Sequence, residues 1–247
     1  MIELSELSKS YDKGRVKAVK NLTLKVARGE LFGFLGPNGA GKTTTIKMLV
    51  GLLKPDAGGI MLGGVDARRE PLRAKGLVGY CPDEPALYDK MTGARFLSFI
   101  ADVFSVSSER RIRAIGELSE AFELKDGLGE LISSYSHGMR QKLSLIAALL
   151  HDPEILILDE PVVGLDPRAA FTLKEKMKEL CARGKTVFFS THIMEVAERL
   201  CDRVGIISRG TLIAAAPLPE LRRRAGEESA TLERLFLEMT DANAQSR

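Results

Sequence analysis

The sequence predicts an α/β fold: a covered, largely parallel sheet, a small antiparallel sheet ahead of it, and an all-helical insertion. Three observations predict it. A glycine-rich loop, Gly36-Pro37-Asn38-Gly39-Ala40-Gly41-Lys42-Thr43-Thr44, stands between a strand-length apolar run and a helical stripe. Unbroken apolar runs return at Ile155–Leu158 and Thr186–Ser190, the pattern of strands covered on both faces. Between the loop and these runs lie about 65 residues whose apolar positions recur at helical spacing and do not alternate.

The 247 residues suit one or two domains with a full core. Hydrophobic content of 45% and charged content of 28% are ordinary for a water-soluble chain. A net charge of +3 is too small to argue for nucleic acid as a partner. No apolar run approaches the ~20 residues of a spanning helix. Met1-Ile2-Glu3-Leu4 leads into polar sequence, so no signal peptide is expected, and a membrane role needs a separate partner. Cys81, Cys181 and Cys201 are far apart and odd in number, which predicts buried reduced thiols of a cytosolic protein.

Residues 1–30 predict the antiparallel sheet: Leu22, Leu24 and Val26 alternate with polar neighbours, and Ala27-Arg28-Gly29-Glu30 turns into the next strand. Leu31–Leu35 is that strand, and Ile46, Leu49, Val50 and Leu53 mark one face of a helix after the loop. Ile60–Leu62 and Leu77–Tyr80 read as short strands, the second stopped by Pro82 and Pro85. Phe96, Ile100, Val103 and Phe104 share a helical face, as do Ile112, Ile115, Ser119 and Phe122, and then Leu143, Ile146, Ala147 and Leu150. After Ile155–Leu158, a helix follows Pro167 with Leu173, Met177, Leu180 and Cys181 inward. Thr186–Ser190 is a strand ending near His192, and Ile193, Val196, Ala197 and Leu200 mark the next helix. Val204–Ile207 and Leu212–Ala214, split by Arg209-Gly210, finish the sheet. Residues 217–247 form an appendix with a basic run at Arg222-Arg223-Arg224 and one amphipathic set, Leu232, Leu235, Phe236 and Met239.

The chemistry follows from the loop. Its glycines let the backbone approach an anion, and its amides and the helix N-terminus direct partial positive charge at it. Lys42 adds a full charge for β- and γ-phosphates, and the Thr43 hydroxyl is placed to ligate Mg2+. The expected ligand is a nucleoside triphosphate. Asp159 closes a buried strand, where a carboxylate anchors Mg2+ through water. Adjacent Glu160 is placed to orient or deprotonate an attacking water. His192 ends another strand on the side where such sheets bind ligands and can bond a γ-phosphate. Tyr11, ahead of the turn at Asp12-Lys13-Gly14, is an aromatic that can stack on a nucleobase. Ser136 and Gly138 open a helix and form a second anion-binding site, about 95 residues from Lys42. Sequence leaves open whether one chain or two facing chains bring both sites onto one phosphate.

Over residues 2–216 the chain resembles the ATP-binding subunit of an ABC transporter. Gly36–Thr44 resembles the Walker A loop, and Ile155–Glu160 the Walker B strand with its catalytic glutamate. Ser136–Gln141 resembles the signature motif, Gly164-Leu165-Asp166 the D-loop with its aspartate at a dimer seam, and His192 the switch histidine. Tyr11 falls where the family stacks an aromatic on adenine. The chain departs from the family twice. Tyr135-Ser136-His137-Gly138-Met139 replaces Leu-Ser-Gly-Gly-Gln, a form that resembles exporter-type cassettes, and Asp83 stands where the Q-loop glutamine falls. Asp83 only accepts hydrogen bonds when ionised, so it is assigned to the metal side.

The resemblance implies a P-loop NTPase of RecA-like core with an antiparallel β subdomain and an inserted α-helical subdomain. It places the ATPase domain at 1–216, with the core at 1–82 and 152–216, the helical subdomain at 83–151 and the appendix at 217–247. It implies ATP and Mg2+ as cofactors and location on the cytoplasmic face of the membrane. The implied partners are a membrane permease docked near Glu84–Thr92 and a second cassette sandwiching ATP, with no nucleic acid. The alternative is a soluble ABC ATPase acting on ribosome or nucleic acid; such relatives tend to carry two cassettes or a long coiled coil, and this chain has neither.

Overall fold

The computed structural model describes residues 1–226 and 229–245. Strands β1 (Ile2–Tyr11) and β2 (Val16–Val26) pair antiparallel, with Ile2 opposite Val26. The alternation of Leu22, Leu24 and Val26 puts all three side chains in the core, as a period of two requires. Strand β3 (Leu31–Leu35) is buried throughout and feeds the glycine loop and α1 (Lys42–Leu49). Next come β4 (Ala57–Leu62), β5 (Val65–Asp66), α2 (Pro71–Gly76) and β6 (Val78–Cys81). The inserted helices are α3 (Gly93–Val103), α4 (Ser108–Ala121) and α5 (His137–Leu149). The chain continues through β7 (Ile155–Asp159), α6 (Pro167–Ala182), β8 (Thr186–Thr191), α7 (Met194–Leu200), β9 (Arg203–Ser208) and β10 (Thr211–Ala216). It closes on α8 (Leu218–Ala225) and α9 (Leu232–Gln245).

Two sheets result. One is antiparallel in the order β2-β1-β4-β5, so the predicted N-terminal hairpin gains two strands from beyond the loop. The other runs β10-β9-β3-β8-β7-β6, parallel except for the β10–β9 pair. Strand β8 lies between β3 and β7, with Leu35 opposite Thr191 and Asp159 opposite Ser190. That register brings three strand ends together: the glycine loop leaves β3, Asp159 ends β7, and His192 follows β8. In open parallel sheets this carboxyl edge is where ligands bind.

Helical periodicity predicts faces better than ends or cover. Helix α1 stops at Leu49, so Val50 and Leu53 of its stripe lie beyond it. Gly51, at φ +70°, takes the left-handed turn that ends helices, and the amides of Leu52 and Leu53 bond back to the Lys47 carbonyl. Val103 and Ile112 share their stripes with buried partners yet are 60% and 74% exposed, because nothing among the described residues covers that side. One apolar cluster joins Phe96, Leu97 and Phe122 of the helical segment to Leu156, Leu158 and Phe189 of the sheet, so the insertion is packed onto the core.

The appendix packs on its own chain. Leu221, Leu232 and Leu235 are fully buried against Leu35, Ala197 and Ile206. Glu198 of α7 holds it electrostatically: one carboxylate oxygen takes the Arg222 guanidinium at 2.7 Å, the other takes the Leu232 amide at 3.3 Å. Arg222 also donates to the Ala230 carbonyl at 2.8 Å. Within the basic run, Arg222 is therefore a buttress, and the Arg224 side chain lies outside the described residues. Glu198→Ala is expected to loosen α8 and α9 by about 1–3 kcal/mol, the loss of a charged hydrogen-bond pair. Limited proteolysis checks this: faster release of the C-terminal helices is expected, and an unchanged cleavage rate refutes it.

Candidate nucleotide site

The loop's shape is set by contacts that only glycine allows. A Cβ on Gly36 would lie 2.4 Å from the Ile207 carbonyl oxygen, and one on Gly41, at φ +110°, 2.4 Å from that of Ala18. The loop is pinned between two strands of different sheets. Gly210 N–H donates to the Ala40 carbonyl at 2.9 Å, and Thr45 caps the Gly41 carbonyl with its amide and hydroxyl. Pro37, Asn38 and Gly39 are exposed at the tip, Thr43 is exposed at the first turn of α1, and Thr44 is half-buried beside it. Tyr11 reaches the same rim: its hydroxyl lies 3.5 Å from Thr44 Oγ1, and the residue is 41% exposed.

Lys42 is buried, and its ammonium donates to the Gly36 carbonyl at 2.7 Å while sitting 3.2 Å from Glu160 Oε1. The ion pair is close but not aligned as a hydrogen bond, and Glu160 Oε1 has no hydrogen-bond partner. Glu160 Oε2 receives the His192 amide at 3.2 Å and lies 3.0 Å from His192 Nδ1. The Glu160 backbone stands at φ +47°, a left-handed conformation costing about 1–3 kcal/mol in a non-glycine residue. It turns the chain off the end of β7, where the Glu160 carboxylate meets both Lys42 and His192. Ser190 holds this junction: its hydroxyl donates to Asp159 Oδ1 at 2.5 Å and accepts the Glu160 amide at 3.1 Å. Ser190 belongs to no motif in the sequence; its one signal is a second hydroxyl beside Thr191 at the end of an apolar run.

Asp159 Oδ2 is buried with no hydrogen-bond partner, in a residue 1% exposed. An orphaned carboxylate oxygen beside a phosphate loop fits a divalent cation. Asp83 is exposed, yet desolvation and the nearby Asp159 and Glu160 carboxylates hold its carboxyl above the usual range. A cation would relieve that crowding. Among the described residues no three acidic, histidine or cysteine side chains form a ready-made cage. Mg2+ suits such a site, since it takes one or two carboxylates and fills its shell with water and substrate phosphate.

A family model described as ABC transporter matches residues 19–163. The chain belongs to the ABC transporter ATP-binding family. The linearmycin resistance ATP-binding protein LnrL of Bacillus subtilis (strain 168) is 38% identical over 229 residues, covering 93% of this chain and 73% of that one. A solved structure described as the ATP-binding subunit of an ABC transporter superposes with a TM-score of 0.93 at 35% identity, covering 97% and 99% of the two chains. The dimeric bacterial ABC transporter cassette MJ0796 superposes with a TM-score of 0.81 at 25% identity, covering 88% and 99%. An ABC ATP-binding subunit hydrolyses ATP to power transport through a separate permease, and that is this chain's function.

In this ABC subunit no hydrogen bond joins the signature segment to the loop. Ser136 is the N-cap of α5, its hydroxyl accepting the Met139 amide at 3.3 Å, and neither Ser136 nor Gly138 bonds any residue of 36–44. Their neighbour is the Gly164–Asp166 loop: a Cβ on Gly138 would lie 3.3 Å from the Gly164 carbonyl oxygen, and one on Gly164 2.6 Å from the His137 ring. Asp166 caps α6 through the Ala169 amide at 2.8 Å and pairs with Lys142 of α5 at 2.7 Å. Those contacts hold its carboxyl below the usual range, so it is ionised at neutral pH. Lys142 also escaped sequence analysis, because a lysine inside an apolar helical stripe carries no motif.

Proposed function

We propose that this chain is the ATPase of an exporter, working as a head-to-tail dimer on the inner face of a membrane. The observation that carries the reading is the buried Lys42–Glu160 pair beside the orphaned Asp159 oxygen, with no hydrogen bond from the Ser136 helix end to the loop of the same chain. One chain offers half a phosphate pocket: the Gly36–Thr44 loop supplies amides and the Lys42 charge. The second copy's Ser136 and Gly138 supply the other half, at the N-terminus of α5. Asp166 lies at the seam, and Tyr11 stacks the adenine at the rim.

Lys42 rests on Glu160 and the Gly36 carbonyl. The γ-phosphate draws Lys42 away, and Glu160 then takes a water as its hydrogen-bond partner. His192 donates from Nδ1 to the Glu160 carboxylate and keeps it oriented, and when Nε2 also carries a proton it donates to the γ-phosphate. Thr43, Asp159 and Asp83 would hold Mg2+, which when bound neutralises charge on the β- and γ-phosphates. Because only the closed dimer contacts ATP from both sides, ATP stabilises that state and hydrolysis releases it.

The permease contact fits a groove of ≈ 450 Å³ lined by Leu52, Tyr80, Leu87, Phe96 and Phe104. Tyr88 and Phe99, in edge contact at 6.0 Å and both exposed, stand at the neighbouring surface. No helix of the described residues is long and apolar enough to cross a membrane, so the groove is where force would pass to an integral partner. Export is favoured by the Tyr-Ser-His-Gly-Met signature and by the resistance role that names LnrL.

Ser136→Arg tests the composite site. Nucleotide affinity of the single chain should stay within about threefold, while ATPase activity falls roughly 100-fold or more as the facing half-site is blocked. Retained turnover would refute the sandwich.

A further inference from the structure

We infer that a second cavity, at the C-terminal end of α1, binds an amphiphilic anion: an apolar chain carrying a carboxylate or phosphate head. The cavity holds ≈ 640 Å³ between the end of α1, β4 and α2. That volume lies within the range of small-molecule sites, roughly 300–1,000 Å³. Its floor is apolar: Met48, Leu49, Ile60, Leu62 and Val78 line it and are buried.

The charge at its mouth is unbalanced. Lys54, Arg68 and Lys75 line the cavity and are exposed. Among the described residues neither Lys54 nor Lys75 makes an ion pair, whereas Arg68 lies in the field of the Asp66 carboxylate, to which its amide donates at 2.8 Å, and Lys9, Arg69 and Arg73 nearby each have a carboxylate partner. Asp56, the acid in the lining, is already committed: it takes the Lys9 ammonium and the Ser10 amide, both at 2.7 Å. These bonds hold its carboxyl below the usual range, so it stays ionised and spoken for. Nor are the cations needed to cap α1. The Lys47 carbonyl is met by the Leu52 and Leu53 amides and the Met48 carbonyl by the Gly51 amide. Lys75 instead lies across Gly51, its Cε 2.9 Å from where a Gly51 Cβ would stand, and so forms part of the wall.

Water poorly satisfies an apolar floor, and an inorganic anion leaves that floor bare. A ligand with an apolar body and an anionic head meets both needs at once. The site is separate from the nucleotide loop, at the opposite end of an eight-residue helix about 12 Å long. Gly59 of β4 gives a way to close it. It lines the cavity, has ordinary φ, and a Cβ there would meet nothing within 4 Å.

The experiment titrates the full chain with dodecanoate below its micelle concentration, with dodecyl maltoside as the uncharged control. Saturable binding of one dodecanoate per chain is expected, with no matching signal from the maltoside. Lys54→Ala with Lys75→Ala should weaken binding roughly 100-fold, about tenfold for each lost charge-assisted contact. Gly59→Phe should remove it while melting temperature and basal ATPase hold. Sedimentation with phosphatidylcholine vesicles, with and without phosphatidylglycerol, separates the sources. Binding to the anionic vesicles assigns the head to a bilayer lipid, and dodecanoate binding alone assigns it to a free amphiphile. Absence of saturable binding, equal binding of the maltoside, or binding that survives both variants would overturn the site.

Discussion

Glu160→Gln is expected to stop turnover while tightening ATP binding. The carboxylate lies 3.2 Å from the Lys42 ammonium and accepts the His192 amide, so two roles meet in it. In the proposed mechanism it activates water, a role whose removal lowers rate by about 10²–10⁴. It is also an anion competing with the γ-phosphate for Lys42. Glutamine keeps the shape and the acceptor for the His192 amide but loses the charge. ATP then no longer displaces an ion pair, and affinity should rise several-fold. Single-turnover hydrolysis and nucleotide titration read the two effects separately. An ATP-loaded dimer should also persist in this variant. Undiminished hydrolysis would sink the assignment of Glu160, and weaker ATP binding would sink the competition argument.

Lys42→Met is expected to fail in the opposite way. Losing the charged contacts to phosphate should weaken ATP binding by roughly 10- to 150-fold. The variant should also be less stable without any nucleotide. Lys42 and Glu160 side chains are only 6% and 10% exposed, and removing one partner of a buried pair costs about 3–5 kcal/mol. The Glu160 bonds to His192 survive, which puts the cost at the lower end. Lys42→Met combined with Glu160→Gln should recover much of the lost stability but none of the lost affinity. A double-mutant cycle of melting temperatures measures the coupling. Additive effects would mean that the pair contributes nothing to the empty state.

Local patterns carried much of this far. The strand–glycine–helix setting of Gly36–Thr44, the apolar run into Asp159-Glu160, and the strand into His192 are contiguous in sequence, so period and composition reveal them. Ser190 and Lys142 were not legible. Each is an ordinary residue whose partner, Asp159 or Asp166, is far along the chain, and only strand register or helix packing brings them together. Ile112 and Val103 failed differently: periodicity gives an apolar face without saying whether anything covers it. The amphipathic set after residue 216 likewise shows a face without its partner, and burial of Leu221, Leu232 and Leu235 on α7 and β9 supplies it.

The sequence by itself determined the nucleotide chemistry of this protein, because a phosphate loop needs its glycines, lysine and threonine within one short stretch. Tertiary structure alone decided where Lys42 rests, which oxygen of Asp159 is left without a partner, and that the signature segment packs against the Gly164 loop. Those facts depend on β8 seating itself between β3 and β7 and on α5 packing beneath β6, contacts between segments whose separation along the chain hides them from any local pattern.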